Sequence, residues 1–217
     1  MLTRARAAVL VLAVLTLGGC GSTHPGAAAV VDDKTISMKS VDETAEVYCL
    51  NSILAAKEQG AAPSEDNAEI RRQAVARTVS LIVARKLADE EGVARPEPAS
   101  YEVPDSDLDR VAAAYKGIDP KVVAQVIEDS RELFELQVAL GAKAAGQPVT
   151  EENSEQLAGA GQTVIIKAFK DYDVDFAPRF GLSDSAETVA ATGSLSAAPT
   201  DLGEDEPNQL PAAQRCS

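Results

Sequence analysis

The chain has 217 residues, 20 Lys plus Arg against 34 Asp plus Glu, and a formal net charge of −14. A surface this acidic repels nucleic-acid phosphates and anionic lipid headgroups alike, so nucleic acid is excluded as a partner and charge gives no route to a membrane. With no Trp, four Tyr and four Phe, the core must be built from Val, Leu, Ile and Ala, which suits closely packed helices.

At the amino terminus Arg4 and Arg6 precede an uncharged run, Ala7–Leu17, which ends in Leu17-Gly18-Gly19-Cys20. A basic start, a short apolar stretch and small residues make a secretory signal peptide, too short to remain as a membrane span. The Leu17–Cys20 sequence resembles the bacterial lipobox. That resemblance implies cleavage before Cys20 and a diacylglycerol thioether on its sulfur. The protein is then expected on the extracytoplasmic face of the cell membrane, held by lipid at Cys20. One acyl chain attaches a protein only marginally, whereas two give a stable anchor. Residues 1–19 read as the signal peptide and 20–27 as a tether.

Ala28–Val31 and Thr35–Ile36 flank Asp32-Asp33-Lys34 and predict a small hairpin. Ser37 stands where a helix N-cap belongs, and Ser40-x-x-Glu43 offers a capping box nearby. In the helix that follows, Val41, Ala45, Tyr48, Cys49, Ser52 and Ala56 share one face, and Gly60-Ala61-Ala62-Pro63 ends it. A second helix is predicted from Glu65 to Glu91. Val75, Val79, Ile82, Val83 and Leu87 fall in one arc, with Ile70 and Leu81 on another side. A helix apolar on two sides belongs between neighbours.

Arg95–Pro104 reads as a Pro-rich connection and Asp105–Tyr115 as a shorter helix ended by Gly117. Asp119-Pro120 places an N-cap before proline at the first helical position. In the helix it opens, Val122, Val123, Val126, Ile127, Leu133, Phe134, Val138 and Leu140 cover one side. Glu128, Arg131, Glu132 and Glu135 cover the other, the pattern of a surface helix packed on a core. Thr150 is expected to cap a last helix running to Lys170, weakened in its middle by Gly159 and Gly161. Asp173–Phe176 alternates like a short strand, and Pro178 ends it. From Leu182 onward small and acidic residues dominate, so 182–217 is expected to be mostly disordered.

The order is a short hairpin, a helical body and a late strand, Val174-Asp175-Phe176-Ala177-Pro178-Arg179-Phe180-Gly181. It resembles the SurA-like chaperone family, in particular secreted actinobacterial-type lipoproteins with a SurA N-terminal domain. Ala28–Ser37 is similar to the family's opening "A-x-V-D-G-x-x-I-S", and Val174–Gly181 to its closing "V-x-V-x-P-R-F/Y-G". The resemblance spans residues 28–181. It implies a mainly α fold: a helical bundle with a small β-sheet made by the N-terminal hairpin and the C-terminal strand. It also implies an apolar groove that holds unfolded or exported polypeptides. Phe169, Tyr172, Phe176 and Phe180 are then candidates for the client-binding surface; the alternative is that they glue the last strand to the helices.

Many relatives carry a parvulin-type prolyl isomerase domain built around paired histidines. This chain has one His, His24, in the tether, and no length to spare for that domain. The leading expectation is therefore a holdase-like binding protein rather than an enzyme. The alternatives are an adaptor or assembly subunit for one cell-envelope partner, or an inactive remnant of a prolyl isomerase. Zinc-binding and Ser-His-Asp or Cys-His catalytic sets lack their histidines, and no metal or cofactor is expected. Gly159-Ala160-Gly161-Gln162 echoes a phosphate loop but lacks its Lys.

Once Cys20 is acylated, Cys49 and Cys216 remain. Outside the cytoplasm an even remainder invites a disulfide. Closing that long loop would contribute up to about 5 kcal/mol in the chain-entropy model. The alternative is two free thiols, with Cys49 buried as a small apolar group.

Overall fold

The computed structural model describes residues 25–61 and 66–188. Strands β1 (Ala27–Val31) and β2 (Lys34–Ser37) form the expected hairpin, with Val31 opposite Lys34 across a turn at Asp32 and Asp33. Asp32 takes a positive φ of 51°, a left-handed conformation that Asp tolerates better than most residues. Strand β3 (Val174–Phe176) pairs antiparallel with the other edge of β1, Ala29 opposite Phe176 and Val31 opposite Val174. The sheet order is β2-β1-β3, so the two ends of the folded body meet in one sheet. As the central strand, β1 has neighbours on both edges, and four of its five residues are buried. That accounts for the unbroken apolar run Ala27–Val31.

The helical body consists of α1 (Met38–Glu58), α2 (Asn67–Glu90), a single turn α3 (Pro98–Tyr101), α4 (Leu108–Ala114), α5 (Pro120–Ala145) and α6 (Ser154–Ala168). Ser37 caps α1 by accepting the Ser40 N–H at 3.1 Å, so Ser37 rather than Ser40 opens the helix. Asp119 caps α5 through the Lys121 N–H (2.9 Å), with Pro120 in the first turn as expected. Helix α2 buries Ile70, Ala74, Val75, Val79, Leu81, Val83, Ala84 and Ala88. These positions lie on several sides of the helix, as its two-sided pattern requires.

Three expectations need correction. First, Thr150 does not cap α6 directly. Thr150 and Asn153 exchange hydrogen bonds, the Asn153 carboxamide also donates to the Pro148 carbonyl (3.0 Å), and the helix starts one residue later. Second, Gly161 does not weaken α6 but lets it pack. A Cβ on Gly161 would sit 1.8 Å from the Gln137 carbonyl oxygen, and one on Gly141 would sit 1.9 Å from that of Leu157. Helices α5 and α6 therefore cross backbone to backbone, which only glycine at these two positions permits. Gly159, two residues earlier, faces open space. Third, the folded body continues past Gly181. Leu182 bridges to Thr188, and Leu182 and Ala186 pack against the main core. The rest of the tail expected to be disordered, 189–217, lies outside the described residues.

The main core runs from the sheet through α1 and α2 to α5 and α6. Val31, Val41, Ile70, Val79, Leu136 and Phe169 are all almost completely buried there. A second cluster is separate: Val47 of α1, Val111 of α4, and Val123 and Val126 of α5.

Candidate functional site

The four late aromatics come together where β3 meets the helices, but mostly inside. Phe169, Phe176 and Phe180 are 1%, 5% and 4% exposed and belong to the main core. Tyr172 is half-buried. The expectation that this group forms an open client-binding surface is corrected for the three phenylalanines. Each large apolar side chain gains about 2–3 kcal/mol by leaving water, and here that gain fastens the last strand to the bundle. The exposed large apolar side chains among the described residues are instead Phe134, Val149 and Ile166.

Around Tyr172 the sheet is locked to α2 by charge. The Asp32 N–H donates to the Asp173 carbonyl (2.8 Å), and the Asp173 N–H returns to the Asp32 carboxylate (2.9 Å). The Asp32 carboxylate also pairs with the Lys86 ammonium. Lys86 stands over the Tyr172 ring, 5.6 Å from its centroid, and the Tyr172 hydroxyl donates to Glu90 at 3.0 Å. The Lys86 hydrogen bond, followed by that of the Asp173 amide, holds the Asp32 carboxyl below the usual carboxylate range. Burial first, and the Glu90 hydrogen bond second, push the Tyr172 hydroxyl upward, so it stays a neutral donor. Asp32, read from sequence only as a turn residue, thus ties together the hairpin, α2 and β3.

The face of α5 expected to be solvated is largely occupied. Glu132 is 5% exposed and forms a two-point pair with Arg85 of α2, at 2.8 Å from Nε to Oε1 on one arm. Asp129 lies 3.5 Å from the same guanidinium. Burial outweighs the neighbouring guanidinium and pushes the Asp129 carboxyl upward. The other charges on that face hold the connection that precedes α4. Glu128 accepts the Val103 N–H (2.9 Å), Arg131 donates to the Tyr101 carbonyl (3.4 Å), and Glu135 accepts the Ser100 hydroxyl (2.7 Å). Phe134, expected on the apolar side, is 44% exposed.

From Arg95 to Ile118 the chain buries one side chain, Val111. This excursion comprises the connection, α3 and α4, and it lies over the second apolar cluster. Val103, Tyr115 and Ile118 pack there from the excursion; Tyr48, Val122 and Ile127 pack from α1 and α5. At its near end Arg95 pairs with Asp89, and at its far end the Tyr115 hydroxyl donates to Asn51 of α1. Sequence reasoning missed this second site. Its one available signal was Val47, which falls off the main apolar face of α1.

A small cleft between α1, α2 and α5 is lined by Thr44, Tyr48, Arg77, Thr78, Asp129 and Ser130 together with Leu81, Val126 and Leu133. The Arg77 guanidinium stands 5.8 Å from the Tyr48 ring centroid, and the Tyr48 and Ser130 hydroxyls are 3.5 Å apart. No family model matches the chain, and no curated protein or solved structure matches it. Among the described residues no helix is long and apolar enough to cross a membrane, and no group of three His, Cys, Asp or Glu is placed to hold a metal ion. Cys49 sits half-buried on α1 at the margin of the main core. Cys20, the expected lipid site, and Cys216, the expected partner of Cys49, lie outside the described residues.

Proposed function

We propose that the protein is a lipid-anchored, extracytoplasmic binding protein that holds exported or partly unfolded polypeptides near the membrane, without a covalent step. The observation that carries this reading is the clasp. Strand β3 returns to β1 from the far side of the helical body, the arrangement that the resemblance to SurA-like chaperones implies. The Leu17–Cys20 sequence supports the location, with Cys20 acylated; a Cys49–Cys216 disulfide is proposed with it. One observation favours a second reading, an adaptor for a single cell-envelope partner: Phe169, Phe176 and Phe180 are buried, so they offer no adaptable surface to many clients.

Aggregation assays on several unrelated unfolded proteins separate the two. The holdase reading expects protection of most of them at near-stoichiometric ratios. Protection of none, alongside one tight partner in a crosslinked pulldown, overturns it in favour of the adaptor. Cys20→Ser tests the anchor: the mature chain should lose its acyl mass and leave the membrane fraction.

A further inference from the structure

The second apolar cluster is built in two halves that differ in how they are held. Its floor is Val47 and Tyr48 on α1 with Val122, Val123, Val126 and Ile127 on α5, and both helices are fixed elsewhere by the main core. Its cover is Val103, Val111, Tyr115 and Ile118, all from the excursion between α2 and α5. The cover inserts one fully buried side chain, Val111, rests Val103, Tyr115 and Ile118 on the floor only partly buried, and is tied down by polar contacts: Ser100 to Glu135, the Tyr101 carbonyl to Arg131, the Val103 amide to Glu128, Tyr115 to Asn51, and Arg95 to Asp89. Solvent can replace such contacts at little net cost. A segment with few buried apolar contacts and exposed polar ties opens at lower free energy than the body it rests on.

We propose that the excursion, residues 95–118, is a hinged cover lying over an apolar groove between α1 and α5, and that the groove receives an amphipathic helix with small aliphatic side chains and a basic polar face. The cover itself defines the shape of that occupant. Helix α4 is a short amphipathic helix that presents Val111 to the floor and charges such as Asp109 and Arg110 to solvent. The incoming helix displaces it and places its own valines or alanines on Val47, Val123 and Val126. The charge of the occupant follows from the floor helices. Glu128 faces the cover, where it accepts the Val103 N–H and is released when the cover lifts, and Glu46 is exposed on α1, on a protein whose net charge is −14. Lysines around the apolar stripe complement those carboxylates; a negatively charged helix is repelled. Affinity is set by the fraction of molecules with the cover raised, so anything that loosens the cover tightens binding. This proposal rests on the binding-protein reading and identifies where, and by what motion, the client is held.

The test uses the full chain and a fluorescein-labelled 18-residue helical peptide of valine, alanine and lysine, with a glutamate-for-lysine peptide as control. Val111→Asp removes the cover's single buried anchor and leaves the floor intact. It should keep the helical signal of the wild type and bind the lysine peptide at least tenfold more tightly. Tyr115→Phe, which removes only the cover's hydroxyl tie to Asn51, should bind it about threefold more tightly. Equal or weaker binding in both variants, equal binding of the glutamate peptide, or global unfolding of Val111→Asp overturns the cover. The holdase reading fails separately. If the variants gain peptide affinity but no form suppresses aggregation of unfolded proteins, the cover stands and the holdase does not. If all forms suppress aggregation equally with no gain in peptide affinity, the reverse holds.

Discussion

Two apolar clusters in the same molecule are held by different physics. The main core closes over the sheet and α2, with aliphatic and aromatic side chains buried from both ends of the folded body, and the charged pair of Asp32 with Lys86 reinforces strands already paired. The second cluster is four valines whose roof is held down mostly by carboxylates, hydroxyls and backbone amides. Burial of apolar area is hard to undo locally, because a cavity or an exposed face must be created. Polar ties exchange readily with water. The first cluster therefore sets the stability of the fold, and the second sets what can move within it.

The contrast is broken most directly at Phe176. Phe176→Ala should lower global stability by about 4 kcal/mol, read as a shifted denaturant midpoint. Val111→Ala should leave that midpoint nearly unmoved and speed amide exchange only in the excursion. Equal global losses would erase the distinction.

Arg85→Ala comes next. It strands the buried Glu132 carboxylate without its partner, and a loss of about 3 kcal/mol is expected. Restoring an apolar pair with Arg85→Met and Glu132→Leu should recover most of it. If the single variant is as stable as wild type, Glu132 has another way to satisfy its charge.

The two glycines of α6 sharpen the comparison with opposite signs. Gly161→Ala should destabilise by about 2 kcal/mol, because its Cβ would collide with the Gln137 carbonyl. Gly159→Ala should stabilise by about 0.5–1 kcal/mol, since it meets open space and only gains helix propensity. Thermal melts of the two variants suffice.

The smallest effect is electrostatic. The folded-state pKa of Asp32 is depressed, so between its folded and unfolded values the unfolded chain binds more protons. Its contribution is whole above about pH 4 and is lost as pH falls through the folded value. The stability gap between wild type and Asp32→Asn should therefore be largest near neutrality and close in acid. A gap that widens in acid would contradict the lock.

The clasp was legible in sequence because it rests on local patterns: an apolar run, a turn of two aspartates, and a short alternation before Pro178. Ser37 and Asp119 were legible as caps for the same reason, since a cap is decided by its own helix. What could not be read depends on partners far along the chain. Glu132 carries the polarity of a solvated residue and is buried only because Arg85, 47 residues earlier, arrives to pair with it. Gly161 looks like a helix weakness until α5 is laid against it. Phe169, Phe176 and Phe180 could be core or surface on sequence alone, and the docking of β3 decided it.

Amide hydrogen exchange on the full chain in native buffer tests the central claim most directly, because it compares the two regions in one experiment. Amides of residues 95–118 should exchange at least about 100-fold faster than those in β1, β3 and the middles of α2 and α5. Uniform protection across all these segments, or an unprotected Val174–Phe176, would contradict the account.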